Sequence, residues 1–327
     1  MYPLKLSPAF KDYIWGGTRL KTDFGKQSKL ERLAESWELS CHKDGLCVIA
    51  NGRYKGMTLA ELIEQLGTKI LGSDCERFDD FPILIKLIDA HDNLSVQVHP
   101  DDDYALRVEG EHGKTEMWYV VDCDSDASLL YGFDHEITRE EFARRIRDNS
   151  LLDVVNRVPV KKGDVFFIEA GTLHAIGKGI LIAEIQQNSN TTYRVFDYGR
   201  VGADGKPRAL HIDKAMDVTH LGPAARRPGP QGKPQKKDGC EVTLLAQCDY
   251  FTTRAVSVGS RARFTADKTS FHSLLFLDGE ALLFWDADFS GGHGMELTVK
   301  KGDSILIPAA LGSYDIKGNC EFLLTTV

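Results

Sequence analysis

The sequence predicts a mainly β protein assembled from two related β modules and decorated with a few helices. Two observations predict it. A five-residue signature recurs: Val160-Lys161-Lys162-Gly163-Asp164 introduces VFFIEAGTLHAI, and Val299-Lys300-Lys301-Gly302-Asp303 introduces SILIPAALGSYDI. Each copy reads as a Gly-Asp turn, an apolar run of strand length and a second turn of small residues. Helical signals are sparse by contrast, and most of the remaining chain consists of short alternating or apolar runs bounded by Gly, Asp and Asn.

Three segments carry the helical signals. MTLAELIEQLGTKILG (57–72) opens with Thr58 and has Glu61 three residues on, the pattern of a capping box before an apolar periodicity. ITREEFARRIRDNSLLDVVNRV (137–158) opens with Thr138 and Glu141 in the same relation, and RALHIDKAMDVTHL (208–221) is a third helical stretch. GPAARRPGPQGKPQKKDG (222–239) is rich in Pro, Gly and cations, cannot build a core and reads as a linker or exposed loop. The expected division is therefore a first module over 1–221, a connection over 222–239 and a second module over 240–327.

Composition narrows the function classes. With 327 residues the chain is long enough for two domains. A formal net charge of -8 argues against a nucleic-acid-binding surface, which needs clustered Lys and Arg, but leaves room for a small phosphorylated substrate. The N-terminal MYPLKLSPAFKDYIWGG has no apolar core of signal-peptide length, and no stretch approaches eighteen consecutive apolar residues. The seven cysteines are scattered without a C-x-x-C pair, the usage of reduced thiols. A cytoplasmic protein without membrane or nucleic-acid partners is expected, and its oligomeric state is left open.

The chemistry concentrates in three segments of the first module. In LSVQVHPDD, side chains on a strand alternate faces, so Ser95, Gln97 and His99 share one face and Val96 and Val98 the other. That row fits a strand facing solvent before the turn at Pro100, or a row turned inward and satisfied by a ligand or metal. In GKTEMWYVV, Lys114 and Glu116 share a face at the start of an apolar run. In GDVFFIEAGTLHAIG, His174 follows the Gly171 turn. Together His99, Glu116 and His174 offer two imidazoles and a carboxylate, a donor set found in catalytic zinc and non-haem iron sites, and Gln97 offers a fourth, oxygen donor.

The spacing from Gly163 through Gly171 to His174 resembles the second cupin motif, G-x5-P-x-G-x2-H, with Glu169 where proline usually stands. YIWGG, AESWELS, FPILIKLIDA, LSVQVHPDD, GKTEMWYV, GTLHAIG and AEIQQNSNTTYRVFDYGR take the likeness further. Over roughly the first 220 residues the chain resembles type I phosphomannose isomerases, in their shorter bacterial form. The resemblance implies two cupin-type jelly-roll modules with a small helical insert, and a metal-dependent isomerase of mannose 6-phosphate and fructose 6-phosphate. It also implies one Zn(2+) per chain held by Gln97, His99, Glu116 and His174. It places the active-site arginine at Arg194, a substrate-contacting lysine at Lys114 and a substrate-proximal serine at Ser95. Asn190 stands where some relatives carry an acid.

Counting eleven residues from Gly163 reaches His174; eleven from Gly302 reaches Ser313. The second module therefore keeps the turn but not the imidazole, and is expected to hold no metal. In the reaction so implied, a proton moves between C1 and C2 through an enediolate, whose charge Arg194 would stabilise. Glu184 on ILIAEIQQ, a metal-bound hydroxide and neutral Lys114 are competing bases. Arg208, with Lys206 and Arg200, is the candidate for the phosphate. Two rivals remain: an iron-dependent cupin oxygenase, since two His and a carboxylate also suit Fe(II), and a non-catalytic sugar-binding cupin.

Overall fold

The computed structural model describes residues 1–201, 205–285 and 295–327. Most of its regular structure is antiparallel strand, gathered into three sheets. One six-stranded sheet runs Val165–Ile168, Glu116–Cys123, Ile180–Gln187, Ile83–Ala90, Glu35–Leu39, Ala9–Lys11. A five-stranded sheet runs Tyr193–Phe196, Val96–Val98, His174–Ala175, Ser128–Phe133, Val155–Pro159. The two share a core in which Ile88, Trp118, Phe166 and Ile182 of the first meet Leu129 and Tyr131 of the second. This is the sandwich that opens into the site.

The six-stranded sheet is buried on both faces, which explains why ILIKLIDA and ILIAEIQQ read as nearly unbroken apolar runs. Its inner face carries Ile88, Trp118 and Ile182. Its outer face, with Ile85, Leu87, Met117 and Ile185, packs on the helical insert through Leu59 and Leu62 and on the second module through Phe251, Leu275 and Leu323.

The third sheet is built mostly from the C-terminal part of the chain around two long strands, His272–Trp285 and Gly312–Thr326. It also takes in Leu4–Ser7, paired with Ser304–Ile307, and Val48–Ile49. The N-terminal strand thus extends the sheet of the other module.

The repeated signature folds twice in the same way. Asp164 accepts from the Lys161 amide at 2.9 Å and Asp303 from the Lys300 amide at 3.0 Å. The glycines between them have φ of 91° and 87°. Eight residues after each glycine the chain turns left-handed again, at Gly171 (φ 87°) and Ala310 (φ 58°). A Cβ at Gly171 would stand 2.7 Å from the His220 ring, so that turn admits only glycine, whereas the second copy accommodates alanine.

The helices are shorter than the sequence suggests. The first covers Leu59–Leu66, with the Thr58–Glu61 capping box formed, and continues as a 3-10 turn over Gly67–Ile70. The 137–158 stretch is a helix only over Arg139–Arg147. There Asp148 turns its carboxylate onto the Ser150 amide (3.2 Å) and hydroxyl (2.5 Å), and Asn149 adopts φ 63°. The VVNRVP run beyond it leaves the helix to pair with Ser128–Phe133. The sheet edge outweighs the weaker helical preference of a β-branched run. The third expected stretch, 208–221, is a helix only over Ile212–Val218. Among the described residues, no helix is long and apolar enough to cross a membrane.

Candidate active site and metal centre

Strand register assembles the site. In the five-stranded sheet Arg194 lies opposite Gln97, and Gln97 opposite His174. Residues directly opposite on neighbouring antiparallel strands share a face, so these three side chains stand in one row. The facing sheet contributes a second row, in which Trp118, Glu184 and Lys86 lie opposite one another in turn. Glu116, two residues before Trp118, projects from the same face.

Between the rows lies a cleft of about 260 Å³, lined by Lys86, Ser95, Gln97, Lys114, Glu184 and Arg194 among others. Behind Lys114 and Gln97 of that lining, single donor atoms of His99, Glu116 and His174 lie within 4.8 Å of one another. His174 Nε2 is 3.6 Å from Glu116 Oε1, and His99 Nε2 is 3.7 Å from Glu116 Oε2.

Both imidazoles are prepared in the same way. His99 Nδ1 donates to the Thr191 carbonyl at 2.9 Å and His174 Nδ1 to the Thr172 carbonyl at 2.8 Å. This fixes each ring and leaves the Nε2 lone pair for a ligand. Burial, helped by the neighbouring Lys114, keeps His99 neutral far below the usual histidine range, and burial brings His174 down to about 4.

The donor set fits a cation. Glu116 is fully buried and its Oε1 has no hydrogen-bond partner. Its other oxygen accepts from the Lys114 ammonium, which also lies 3.2 Å from His99 Nε2. A positive group therefore already sits against two of the three donors. Gln97 Nε2 is 3.4 Å from His174 Nε2, and rotating that amide would present its oxygen to the same spot.

Charge on the facing sheet is balanced just as closely. Lys86 and Glu184, 4% and 3% exposed, form an ion pair of 3.1 Å, and Trp118 Nε1 donates to Glu184 Oε2 at 2.9 Å. Burial works against both charges, but the pairing wins: Lys114 and Lys86 hold the Glu184 carboxylate ionised, and Glu184 with Glu35 holds Lys86 protonated. Burial and the Glu184 charge push Glu116 the other way, upward.

Comparisons with known proteins agree with this geometry. Residues 3–124 match the family described as phosphomannose isomerase type I, catalytic domain, and residues 241–327 match mannose-6-phosphate isomerase, cupin domain. Mannose-6-phosphate isomerase ManA of Bacillus subtilis (strain 168) is 40% identical over 324 residues, covering 99% of this chain and 98% of that protein. Mannose-6-phosphate isomerase of Streptococcus mutans is 36% identical, covering 98% and 97%. The crystal structure of mannose 6-phosphate isomerase from Bacillus subtilis superposes with a TM-score of 0.91 at 34% identity, covering both chains fully.

The chain belongs to the type I phosphomannose isomerase family.

In this family member the fold brings together most of the residues that the sequence singles out. Ser95, Gln97, Lys114, Glu184, Arg194 and Arg208 line the cleft, and His99, Glu116 and His174 lie against two of these, Lys114 and Gln97. Arg194 Nε donates to Ser95 Oγ at 3.3 Å and Nη1 to the Ala209 carbonyl at 2.9 Å. Arg208 is held by Asp197, Nε to Oδ2 at 2.7 Å, and Arg200 shares that carboxylate. Arg200 and Lys206 are not among the described residues lining the cleft. Asn190 also lines it, with its amide donating to Asp44 Oδ2 at 2.9 Å.

Lys86, Glu35 and Tyr13 also line the cleft, and sequence reasoning assigned them nothing. Lys86 carried a usable signal: a lysine within eight otherwise buried strand positions must have an anionic partner. That the partner is Glu184 follows only from the register of the two strands.

Proposed function

We propose that this chain is a metal-dependent aldose–ketose isomerase interconverting mannose 6-phosphate and fructose 6-phosphate, with one zinc ion per chain. The single observation that carries the reading is Arg194, Gln97 and His174 standing in one row against Glu116 and Glu184 in a chain of this family. His99, Glu116 and His174, with Gln97 as a fourth donor, would hold the ion. Two imidazoles, a carboxylate and an amide oxygen suit Zn(2+). When bound, the ion supplies Lewis-acid polarisation of the sugar oxygens at C1 and C2.

The remaining work falls to the side chains of the cleft. The C2 proton of the open-chain aldose leaves to a base, its electron pair forms the C1–C2 double bond, and O1 takes up negative charge or a proton. Return of a proton to C1 with loss of the O2 proton gives the ketose. We assign the proton transfer to Glu184, an ionised carboxylate held in place by Lys86 and Trp118. Arg194 lies across the cleft with its guanidinium braced by Ser95 and the Ala209 carbonyl, suited to an enediolate oxygen. Lys114 contacts the same oxygens, and Arg208 binds the phosphate at the rim. In the same reading residues 1–221 form the catalytic unit, 222–239 the connection and 240–327 a metal-free second module.

A coupled assay with mannose 6-phosphate, run before and after chelation and again with zinc returned, tests the reading. Turnover that survives complete removal of metal would exclude it.

A further inference from the structure

The second module holds a cavity that shares no lining residue with the catalytic cleft. It measures about 430 Å³ and opens between the strands Cys240–Gln247, Thr252–Val258 and Arg261–Ala266. One wall is apolar, formed by Val242, Val256, Phe264 and Leu324. The rest is polar and cationic. Lys237, Arg254 and Arg263 line it against one carboxylate, Asp238, which is exposed.

The cations differ in how they are satisfied. Arg263 is spoken for, with Nε and Nη2 on Asp315 at 3.0 and 2.8 Å. Arg254 is half-buried on the strand Thr252–Val258, and among the described residues no carboxylate pairs with it. A partly desolvated guanidinium carries five donors in a fixed fork, a geometry that matches an oxyanion.

His272 adds a second donor. Its Nδ1 lies 2.8 Å from the hydroxyl of Tyr314, which is 1% exposed. A buried phenol keeps its proton and must place it on an acceptor, so Tyr314 donates to Nδ1. The neutral ring then carries its proton on Nε2, the nitrogen left for the cavity. Thr265 and Thr326 supply hydroxyls on the same lining. A pocket of donors beside an apolar wall selects a ligand with an accepting, negatively charged head and an apolar body.

We propose that this cavity is a second ligand site, for a small organic anion whose carboxylate or phosphate group is held by Arg254 and whose body packs on Phe264 and Leu324.

Calorimetric titration of the metal-loaded full-length protein with benzoate and with phenyl phosphate tests this. At least one probe binds the wild type, and Arg254→Gln weakens it by about tenfold or more, the effect of losing a charge-assisted hydrogen bond. Binding of benzoate alone assigns the site to carboxylates, and of phenyl phosphate alone to phosphates. Phenyl phosphate taken up by the catalytic cleft would be indifferent to Arg254→Gln, so the difference between the proteins reports on this cavity. Isomerase turnover without probe stays at the wild-type rate in Arg254→Gln, which shows that the variant is folded. Thr265→Trp, which fills the cavity from its exposed edge, abolishes the same binding and decides the matter should Arg254→Gln not fold. Failure of both probes to bind the wild type overturns the proposal, as does affinity unchanged in the folded variants.

Discussion

The Tyr250 hydroxyl donates to Asp102 Oδ2 at 2.6 Å, joining the second module to the short helix that follows His99. Asp102 accepts at its other oxygen from the Gly113 amide at 2.7 Å and from Gln187 Nε2 at 3.0 Å. One carboxylate thus ties the C-terminal module to the lead-in of the Glu116 strand and to the end of the Glu184 strand. Tyr250→Phe should keep its metal, lose about 1.5 kcal/mol of stability, the low end for a hydrogen bond to a charged acceptor, and show reduced kcat. Urea unfolding and steady-state kinetics check this. Unchanged values of both would make the contact incidental.

His99→Ala and His174→Ala should each lose bound metal and turnover together, since a site of three or four donors tolerates the loss of an imidazole poorly. Metal analysis of the purified variants is the measurement. Stoichiometric zinc with full activity in either variant would contradict the assignment.

Arg194→Ala should keep its zinc and still bind mannose 6-phosphate, yet turn over about a hundredfold more slowly, because the guanidinium is assigned to a charge that exists only during reaction. Arg194→Lys should recover part of the loss. A large rise in KM with kcat intact would instead make Arg194 a phosphate clamp.

The two copies of the repeated turn predict opposite tolerances. Ala310 holds φ 58°, a conformation that costs a residue with a Cβ roughly 1–2 kcal/mol, against about 0.4–1 kcal/mol of extra unfolded-state entropy for glycine. Ala310→Gly should therefore stabilise the protein slightly, while Gly171→Ala should destabilise it by colliding with His220. Ser313→Ala, beside that turn, should leave metal content and turnover unchanged. Denaturation midpoints check the two turn variants, and metal analysis with steady-state kinetics checks Ser313→Ala.

Acid should weaken the second module through His272. Burial lowers this imidazole from 6.5 to about 4, so the unfolded chain binds the extra proton first. Its contribution is present above pH 6.5 and is lost as pH falls towards 4. Discounted for partial exposure, the loss is about 1–2 kcal/mol. His99 and His174 shift in the same direction, so the readout is the difference between wild type and His272→Gln in urea titrations at neutral and acid pH. An identical acid dependence in both proteins would exclude the effect.

Local chemistry made much of this protein legible in the sequence. The Gly-Asp turns with their apolar sequels announced two β modules, and the Thr58–Glu61 box announced a helix that forms. His99, Glu116 and His174 stood out because the donor types that hold a metal are few. Other features depended on partners far along the chain. The 137–158 run opened on a helix start signal, and only pairing with Ser128–Phe133 makes its end, from Val155, a strand. Lys86 could be seen to need an anion, but register alone made that anion Glu184, nearly a hundred residues away. The same holds for Arg254, which among the described residues has no carboxylate partner, a property that only the strand packing decides. Residue type and local spacing dictate turns, caps and donor sets, because those interactions span only a few residues. Which charges meet across a sandwich is decided by strand order and register, and these arise only when the whole core packs.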